Sequence, residues 1–333
     1  MDPDRRVKYH AGMTNPLRIT ARLLARAKEA RRRRRFAASV EHLHGPRTLD
    51  VAQGDVVLIA LVRDAAFFLD GFFAHYRAMG IRHFVFFDTG STDATLARIR
   101  AEPGTVIDRS TLPQDRFGDL MRDYPVQTYG RDRWCLFATP DALLDFEGRA
   151  TFGIRGLTAY LEAEGHTAFA AQRLDMFPKG EIGPQTGETF EQVRARYLYF
   201  DISHLRRYEY HSDAVPFSAR LAVNDVAGPQ VKLMFGGVRG KVWGEDGWLT
   251  RHPLVFNGPE VTVACPDAPM GVRVADVTGV MRHYGLCRET PGDSGAALFS
   301  LDARRWNRAE LLYRADFLAT SDRYAAHVRR ARS

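Results

Sequence analysis

Two short apolar runs, separated by a segment with helical periodicity, constrain the fold of this chain most strongly. The first run, residues 56–62, contains seven consecutive apolar residues, and the second, residues 83–87, has four apolar residues after His83. Such runs are typical of strands covered on both faces, as in parallel sheets. Between them, apolar residues recur every three or four positions from Phe68 to Met79. This spacing predicts an amphipathic helix that ends at Gly80.

The alternation of strand and helix signals continues along the chain. A second helix is predicted at residues 92–100 and a third strand at residues 105–107. After about 25 irregular residues, further strands are predicted at 134–138, 168–174 and 272–283, and helices at 151–164 and 302–330. Residues 181–260 are predicted to form loops and short strands. The order β-α-β-α-β with short connections predicts an α/β fold with a doubly wound sheet.

Composition places the chain among globular proteins. It has 333 residues, of which 45% are hydrophobic and 26% charged, so it needs no disulfide or metal to support a core. The three cysteines lie far apart without a CxxC pair, which argues against a disulfide framework and a zinc site. The first ten residues resemble no secretory signal, and no apolar run reaches membrane-spanning length. We therefore expect a cytoplasmic protein, with peripheral attachment to the inner membrane surface as an open alternative.

The positive charge is concentrated at the start of the chain. Residues 1–50 contain 13 Arg and Lys against 5 Asp and Glu, a net charge of +8, whereas the whole chain carries +7. The remainder is therefore close to neutral. We interpret residues 1–50 as a basic helical extension with a linker at 42–54, and residues 51–333 as the folded domain.

The basic extension has three interpretations. Residues 16–40, which include Arg31–Arg35, are consistent with a solvated amphipathic helix. They are also consistent with a helix that binds an anionic membrane surface or an acidic partner. Nucleic acid is the least favoured partner, because no aromatic side chains that could stack on bases lie among the arginines.

Polar residues follow the first two predicted strands directly. In doubly wound sheets, ligands bind outside the carboxyl ends of the strands. We therefore expect a nucleotide here, with Gly90 allowing close approach and the Asp88 carboxylate accepting hydrogen bonds from a base or ribose. Roles for Asp88 and Asp93 as turn and cap residues remain open. The candidate nucleotide-binding residues are Arg63, Asp64, Asp88, Gly90, Ser91 and Asp93.

Two common nucleotide motifs are missing from the sequence. No GxGxxG follows the first strand, and no GxxxxGK(S/T) occurs anywhere. A dinucleotide site and a P-loop are therefore not expected.

The motifs after the strands resemble those of the family 2-like bacterial glycosyltransferases, which have the GT-A fold. The resemblance covers about residues 55–325 and implies a mixed sheet flanked by helices. Its most specific part follows the second strand, where the family has Asp-x-Gly-Ser-Thr-Asp-Gly-Thr. The segments of this chain that carry the resemblance are Arg63-Asp64-Ala65, Asp88-Thr-Gly-Ser-Thr-Asp-Ala-Thr95, Trp134 to Ala142, Leu174-Asp-Met-Phe-Pro-Lys-Gly180, Tyr199-Phe-Asp201 and His283-Tyr-Gly285.

The resemblance also implies a metal site, from which this chain departs. The family's Asp-x-Asp carboxylates hold Mg²⁺ or Mn²⁺, which bridges the two phosphates of a nucleotide sugar. Here Thr139 stands at the first carboxylate and Ala142 at the acidic neighbour, while Ala65 replaces the acid of the first motif. Asp141 and His283 remain as candidate ligands. The expected Mg²⁺ or Mn²⁺ site is thus weakened.

Two hypotheses about function follow from the resemblance. The first is a glycosyltransferase that moves a sugar from a nucleoside diphosphate sugar to a glycan or other acceptor, for instance in surface polysaccharide synthesis. The candidates for the base that deprotonates the acceptor hydroxyl are Asp175, Glu245 and Asp246. The second is a degenerate, non-catalytic protein that binds a nucleotide, a glycan or a protein partner.

Overall fold

A computed structural model of the chain describes residues 16–179, 182–183, 187–245, 247–263, 267–288, 303–305 and 316–332. The strands in this part are β1 (Glu41–His44), β2 (Val57–Val62), β3 (His83–Asp88), β4 (Thr105–Arg109), β5 (Trp134–Phe137), β6 (Ala142–Asp145), β7 (Ala168–Asp175), β8 (Tyr199–Asp201), β9 (Leu205–Glu209), β10 (Asp225–Val226), β11 (Lys232–Gly236), β12 (Thr250–Phe256), β13 (Arg273–His283) and β14 (Ala303–Arg305).

The helices connect and flank these strands. They are α1 (Pro16–Ser39), α2 (Ala66–Ala78), α3 (Thr95–Ala101), α4 (Gln114–Tyr129), α5 (Arg149–Ala163), α6 (Phe190–Arg196), α7 (Ser218–Leu221), α8 (Gly237–Trp243) and α9 (Asp322–Arg332), with a 3₁₀ helix at Gly285–Arg288. Among the described residues, no helix is both long and apolar enough to cross a membrane.

One large mixed sheet organises the molecule. Its strand order is β1-β4-β3-β2-β5-β12-β7-β13-β10, and β6 pairs with β13. Strands β2 to β5 and also β7, β13 and β10 make parallel pairs, whereas β12 is antiparallel to both of its neighbours, β5 and β7. The predicted α/β class with a large sheet flanked by helices is therefore confirmed.

Helices cover both faces of the sheet, which explains why its strands are apolar without alternation. Leu58 and Ala60 of β2 belong to the core that includes the apolar side of α2. On the opposite face, Phe87 of β3 packs with Phe117 and Met121 of α4. A strand covered on both faces needs apolar residues at every position.

Two of the predicted irregular segments are ordered into secondary structure. Helix α4 occupies most of residues 108–133 and contains Pro125, a residue that usually breaks helices. It forms because Phe117, Leu120 and Met121 are spaced to face the sheet together. Within residues 181–260, β12 inserts into the centre of the sheet.

The predictions near both ends of the chain also need correction. Residues 42–44, assigned to a linker, belong instead to the edge strand β1, which pairs with β4. Of the helix predicted at residues 302–330, residues 303–305 instead form β14 against β8, and Asp322–Arg332 form α9, while residues 302 and 306–315 lie outside the described part of the chain. Both errors concern strands stabilised by a partner distant in sequence.

Candidate functional site

The polar loops predicted to bind a ligand meet at the carboxyl edge of the sheet. From β2 the chain continues outward to β3 and then β4, and it returns to form β5 on the other side of β2. The strand order therefore reverses between β2 and β5. In open α/β sheets, ligands bind at such a point, in the crevice outside the carboxyl ends. The loops after β2, β3, β5, β7 and β13 all leave from this edge.

The loops after β2 and β3 hold each other through reciprocal hydrogen bonds. Asp64 Oδ1 accepts from the backbone N–H groups of Thr92 (2.7 Å) and Asp93 (3.2 Å). In return, Asp93 Oδ2 accepts from the N–H of Ala66 (3.1 Å), the first residue of α2. The Ser91 hydroxyl accepts from the N–H of Asp64 (3.1 Å). Asp64, Ser91 and Asp93, all predicted site residues, thus connect the loops after β2 and β3, which form the two walls of the crevice. We call these two loops the joined loops.

Asp88 is fully buried at the base of this crevice. Its carboxylate accepts from the N–H groups of Gly90 (3.1 Å) and Ser91 (3.0 Å) and forms an ion pair with Arg109 Nε (3.2 Å). The side chain thus organises the turn that presents Gly90, whose φ of +112° favours glycine. A direct contact between Asp88 and a nucleotide stays a prediction, and Arg63, with 65% of its side chain exposed, is the more accessible group.

A second group of side chains, Asp141, Asp175 and His283, connects three further strand ends. We call it the charged cluster. Sheet register places His283 of β13 opposite Asp175 of β7 and beside Ala142 of β6. The imidazole Nδ1 lies 2.6 Å from Asp175 Oδ1, and Nε2 lies 3.1 Å from Asp141 Oδ2. The Thr139 hydroxyl donates to Asp141 Oδ1 (2.6 Å). The structure thus brings together both candidate ligands and one candidate base.

Arg239 of α8 extends this series of charged side chains towards solvent. Arg239 Nε donates to both oxygens of Asp175 (3.1 Å each), and its Nη1 lies 3.6 Å from Glu245 Oε2. Glu245 keeps 57% of its side chain exposed, whereas Asp175 keeps 3%. Of the three candidate bases, Glu245 is therefore the accessible one, Asp175 is enclosed by two cations, and Asp246 lies outside the described residues.

The charges in this cluster stabilise one another. Burial by itself lowers the pKa of His283, but the Asp141 and Asp175 carboxylates raise it to about 9. Burial raises the pKa of both carboxyls, yet the His283 charge and hydrogen bonds bring each below its usual range. At neutral pH the cluster is thus an imidazolium ion between two carboxylates.

The same geometry tests whether a divalent cation fits these residues. Both nitrogens of His283 face carboxylates, so the ring donates two hydrogen bonds and has no lone pair left for a metal. Both oxygens of Asp141 are also engaged, by Thr139 and His283. In the described part of the chain, no three His, Cys, Asp or Glu residues form a group that could hold a metal ion. In this arrangement, the residues do not fit a resident Mg²⁺ or Mn²⁺.

An arginine-lined cavity adjoins Thr139 on the α4 side of the sheet. Its volume is about 300 Å³, at the lower end of the range for ligand pockets. Three guanidinium groups line it, from Arg122 of α4, Arg173 of β7 and Arg251 of β12. Sequence analysis missed these residues, although an arginine within the apolar strand 168–174 was a signal.

A larger hollow of about 600 Å³ lies at the opposite, amino edge of the sheet, between Gly54 and Asp132. Size alone favours it as the ligand site. However, the polar loops of the topological switch point are at the carboxyl edge, and we consider strand topology the stronger guide.

Comparison with known proteins does not identify a family. The chain matches no protein-family model, and no curated protein matches it.

Proposed function

We propose that this protein is a glycosyltransferase of the GT-A type that transfers a sugar from a nucleoside diphosphate donor to an acceptor hydroxyl. One observation carries the proposal: the joined loops, the charged cluster and the arginine cavity all meet at the switch point of the sheet. A nucleotide sugar has a base, a diphosphate and a sugar to hold. The crevice at Gly90, the arginines and the carboxylate of Glu245 match these three parts.

In the proposed reaction the acceptor oxygen attacks the anomeric carbon of the donor. The new C–O bond forms as the bond from that carbon to the β-phosphate oxygen breaks, and the electron pair leaves with the nucleoside diphosphate. Glu245 takes the proton of the hydroxyl. Asp175, held by His283 and Arg239, positions the arginine that in turn holds Glu245. Direct displacement inverts the anomeric centre.

A non-catalytic binding protein is the second candidate. It is favoured by the engagement of Asp141 and Asp175 in ion pairs, which leaves Glu245 as the one accessible carboxylate among the described candidates. A binder of this kind would hold the same nucleotide without consuming the sugar donor.

Donor hydrolysis, with water as the acceptor, separates the two candidates. We expect the protein to release nucleoside diphosphate from one of a panel of uridine and guanosine diphosphate sugars. Glu245→Gln should lower kcat by about 100-fold with little change in KM, because general base catalysis contributes factors of this size. Glu260→Gln, at an exposed position elsewhere, is the matched control. Binding without turnover would favour the second candidate, and absence of both would refute the proposal.

A further inference from the structure

The arginine cavity has an excess of positive charge. Against its three arginines, the described lining of the cavity has one carboxylate, that of Asp267, which pairs with Arg251 (Nε to Oδ1, 3.0 Å). Arg122 and Arg173 form no ion pair with any residue that the structure describes. The charge of Arg173 helps to lower the pKa of Asp175, two residues further on, but the close contacts of that carboxylate are with His283 and Arg239. Within the described chain, these two guanidinium groups of the cavity therefore have no carboxylate at ion-pair distance.

Arg173 also leaves a hydrogen-bond donor unused. Its Nε is buried and has no partner among the described residues. A buried donor without an acceptor costs free energy comparable to a lost hydrogen bond, so such groups usually have a partner, often a ligand or water. The acceptor that fits a cavity with several guanidinium groups is an anion with several oxygens.

The positions at which this chain lacks acidic residues face the same cavity. Thr139 and Ala142 both line it, and they present a hydroxyl and a methyl group where the glycosyltransferases that the sequence motifs resemble have carboxylates. Carboxylates at these positions would repel a phosphate unless a metal lay between them. Their replacement by neutral side chains removes that repulsion.

We propose that the cavity formed by Arg122, Arg173 and Arg251 binds the diphosphate of the donor directly, without a divalent cation. This inference rests on the proposed function. When the bond between the sugar and the β-phosphate oxygen breaks, the electron pair goes to that oxygen. The guanidinium groups stabilise the added charge through hydrogen bonds, the role that a metal has in metal-dependent enzymes.

Calorimetry with inorganic pyrophosphate, UDP and GDP in a buffer with EDTA tests the site independently of catalysis. We expect binding without a metal, and a loss of affinity of about tenfold or more in Arg173→Gln and Arg251→Gln, because each removes charge-assisted hydrogen bonds. Arg122→Gln, at an exposed position, gives a second test that does not disturb the core. Arg100→Gln, exposed on α3, is the control and should change affinity little.

The double variant Thr139→Asp, Ala142→Glu tests the same idea from the opposite direction. Acids in the cavity should weaken pyrophosphate binding in EDTA and make it dependent on added Mn²⁺. Wild-type binding that requires Mn²⁺, or that survives all three arginine substitutions in folded protein, would overturn the inference.

The two proposals fail in different ways. Metal-free pyrophosphate binding without any turnover of sugar donors would refute the transferase and keep the anion site. Turnover that depends on Mn²⁺ and is unaffected by the arginine substitutions would keep the transferase and refute the anion site.

Discussion

His283 shows at the residue scale how one side chain joins three elements. It lies at the end of β13 between the acids that follow β5 and end β7. Because β7 and β13 are neighbours, the His283–Asp175 contact follows from sheet register. The imidazolium ion offsets two carboxylates that would otherwise repel each other at this edge.

Replacing His283 should change the pH dependence of stability. Its folded pKa of about 9 lies above the ordinary value of 6.5, so its contribution is complete below about pH 6.5 and is lost as pH rises through 9. We expect His283→Gln to lower the free energy of unfolding by up to about 3 kcal/mol near pH 6. The difference should disappear above about pH 9, as measured by urea unfolding. A difference that does not vary with pH would contradict the ion-pair geometry.

Asp88 gives a second prediction at this scale. Its carboxylate is buried and pairs with Arg109, so Asp88→Ala leaves a cation and two N–H donors without their acceptor. We expect a loss of about 3 kcal/mol in urea unfolding. Asp70→Ala removes an exposed pair with Arg98 and is the control, because surface pairs contribute little. Equal stability losses in the two variants would argue against the structural role of Asp88.

At the scale of elements, α1 and β1 connect the basic segment to the domain. Phe36 of α1 is buried against Phe87 and Tyr124, and Arg32 pairs with Asp119 of α4. Strand β1 covers the edge of β4, where the His42 ring lies 2.8 Å from Asp108. By contrast, Leu23, Leu24 and most of the arginines remain exposed.

Removing residues 1–45 should destabilise the domain, because it exposes the β4 edge and the aromatic cluster around Phe36. We expect a melting temperature several degrees below that of the full chain, since the loss amounts to at least about 2 kcal/mol. Removal of residues 1–30, which keeps Phe36 and β1, should have a much smaller effect. Equal melting temperatures for both truncations would show that β1 adds little to stability.

The exposed arginines of α1 give a separate prediction. We expect the full chain to bind vesicles that contain anionic lipid at low salt, and binding to weaken as salt screens the charges. Replacing Arg31, Arg33 and Arg34 by Gln should reduce binding and leave the fold intact, because Arg32 and Arg35 make the contacts to α4. Neutral vesicles are the control in a co-sedimentation assay. Binding that ignores both salt and lipid charge would contradict this role.

At the scale of the whole molecule, the mixed sheet separates two edges with different properties. The carboxyl edge contains the joined loops, the charged cluster and the arginine cavity. The amino edge contains the larger hollow near Gly54 and Asp132. Because the two edges are separate, we expect a ligand bound at one edge to leave hydrogen exchange at the other unchanged.

Hydrogen–deuterium exchange locates the ligand between these edges. With UDP or GDP bound, we expect slower exchange in residues 63–66 and 88–93, whose N–H groups form the joined loops. Residues 51–54 and 130–133, at the amino edge, should not change. Protection confined to the amino edge would place the ligand in the larger hollow.

The amino-acid sequence by itself determined the alternation of buried strands and helices in the first half of the domain. It also determined that polar loops follow those strands, because a strand covered on both faces requires an unbroken apolar run and a short loop begins where that run ends. The resemblance to the glycosyltransferases implied Asp141, Asp175, His283 and Glu245 as candidates, but it did not indicate that these side chains form one charged cluster.

Only the tertiary structure decided how these candidates are arranged. The pairing of β13 with β7 and β6 brings His283 between two acids, and it turns two expected ligands and a base into mutually neutralising charges. Strand β1, the insertion of β12 and the cavity with Arg122, Arg173 and Arg251 likewise depend on partners distant in sequence. Periodicity in the sequence reports which face of an element is buried, whereas the identity of its neighbour is a property of the folded sheet.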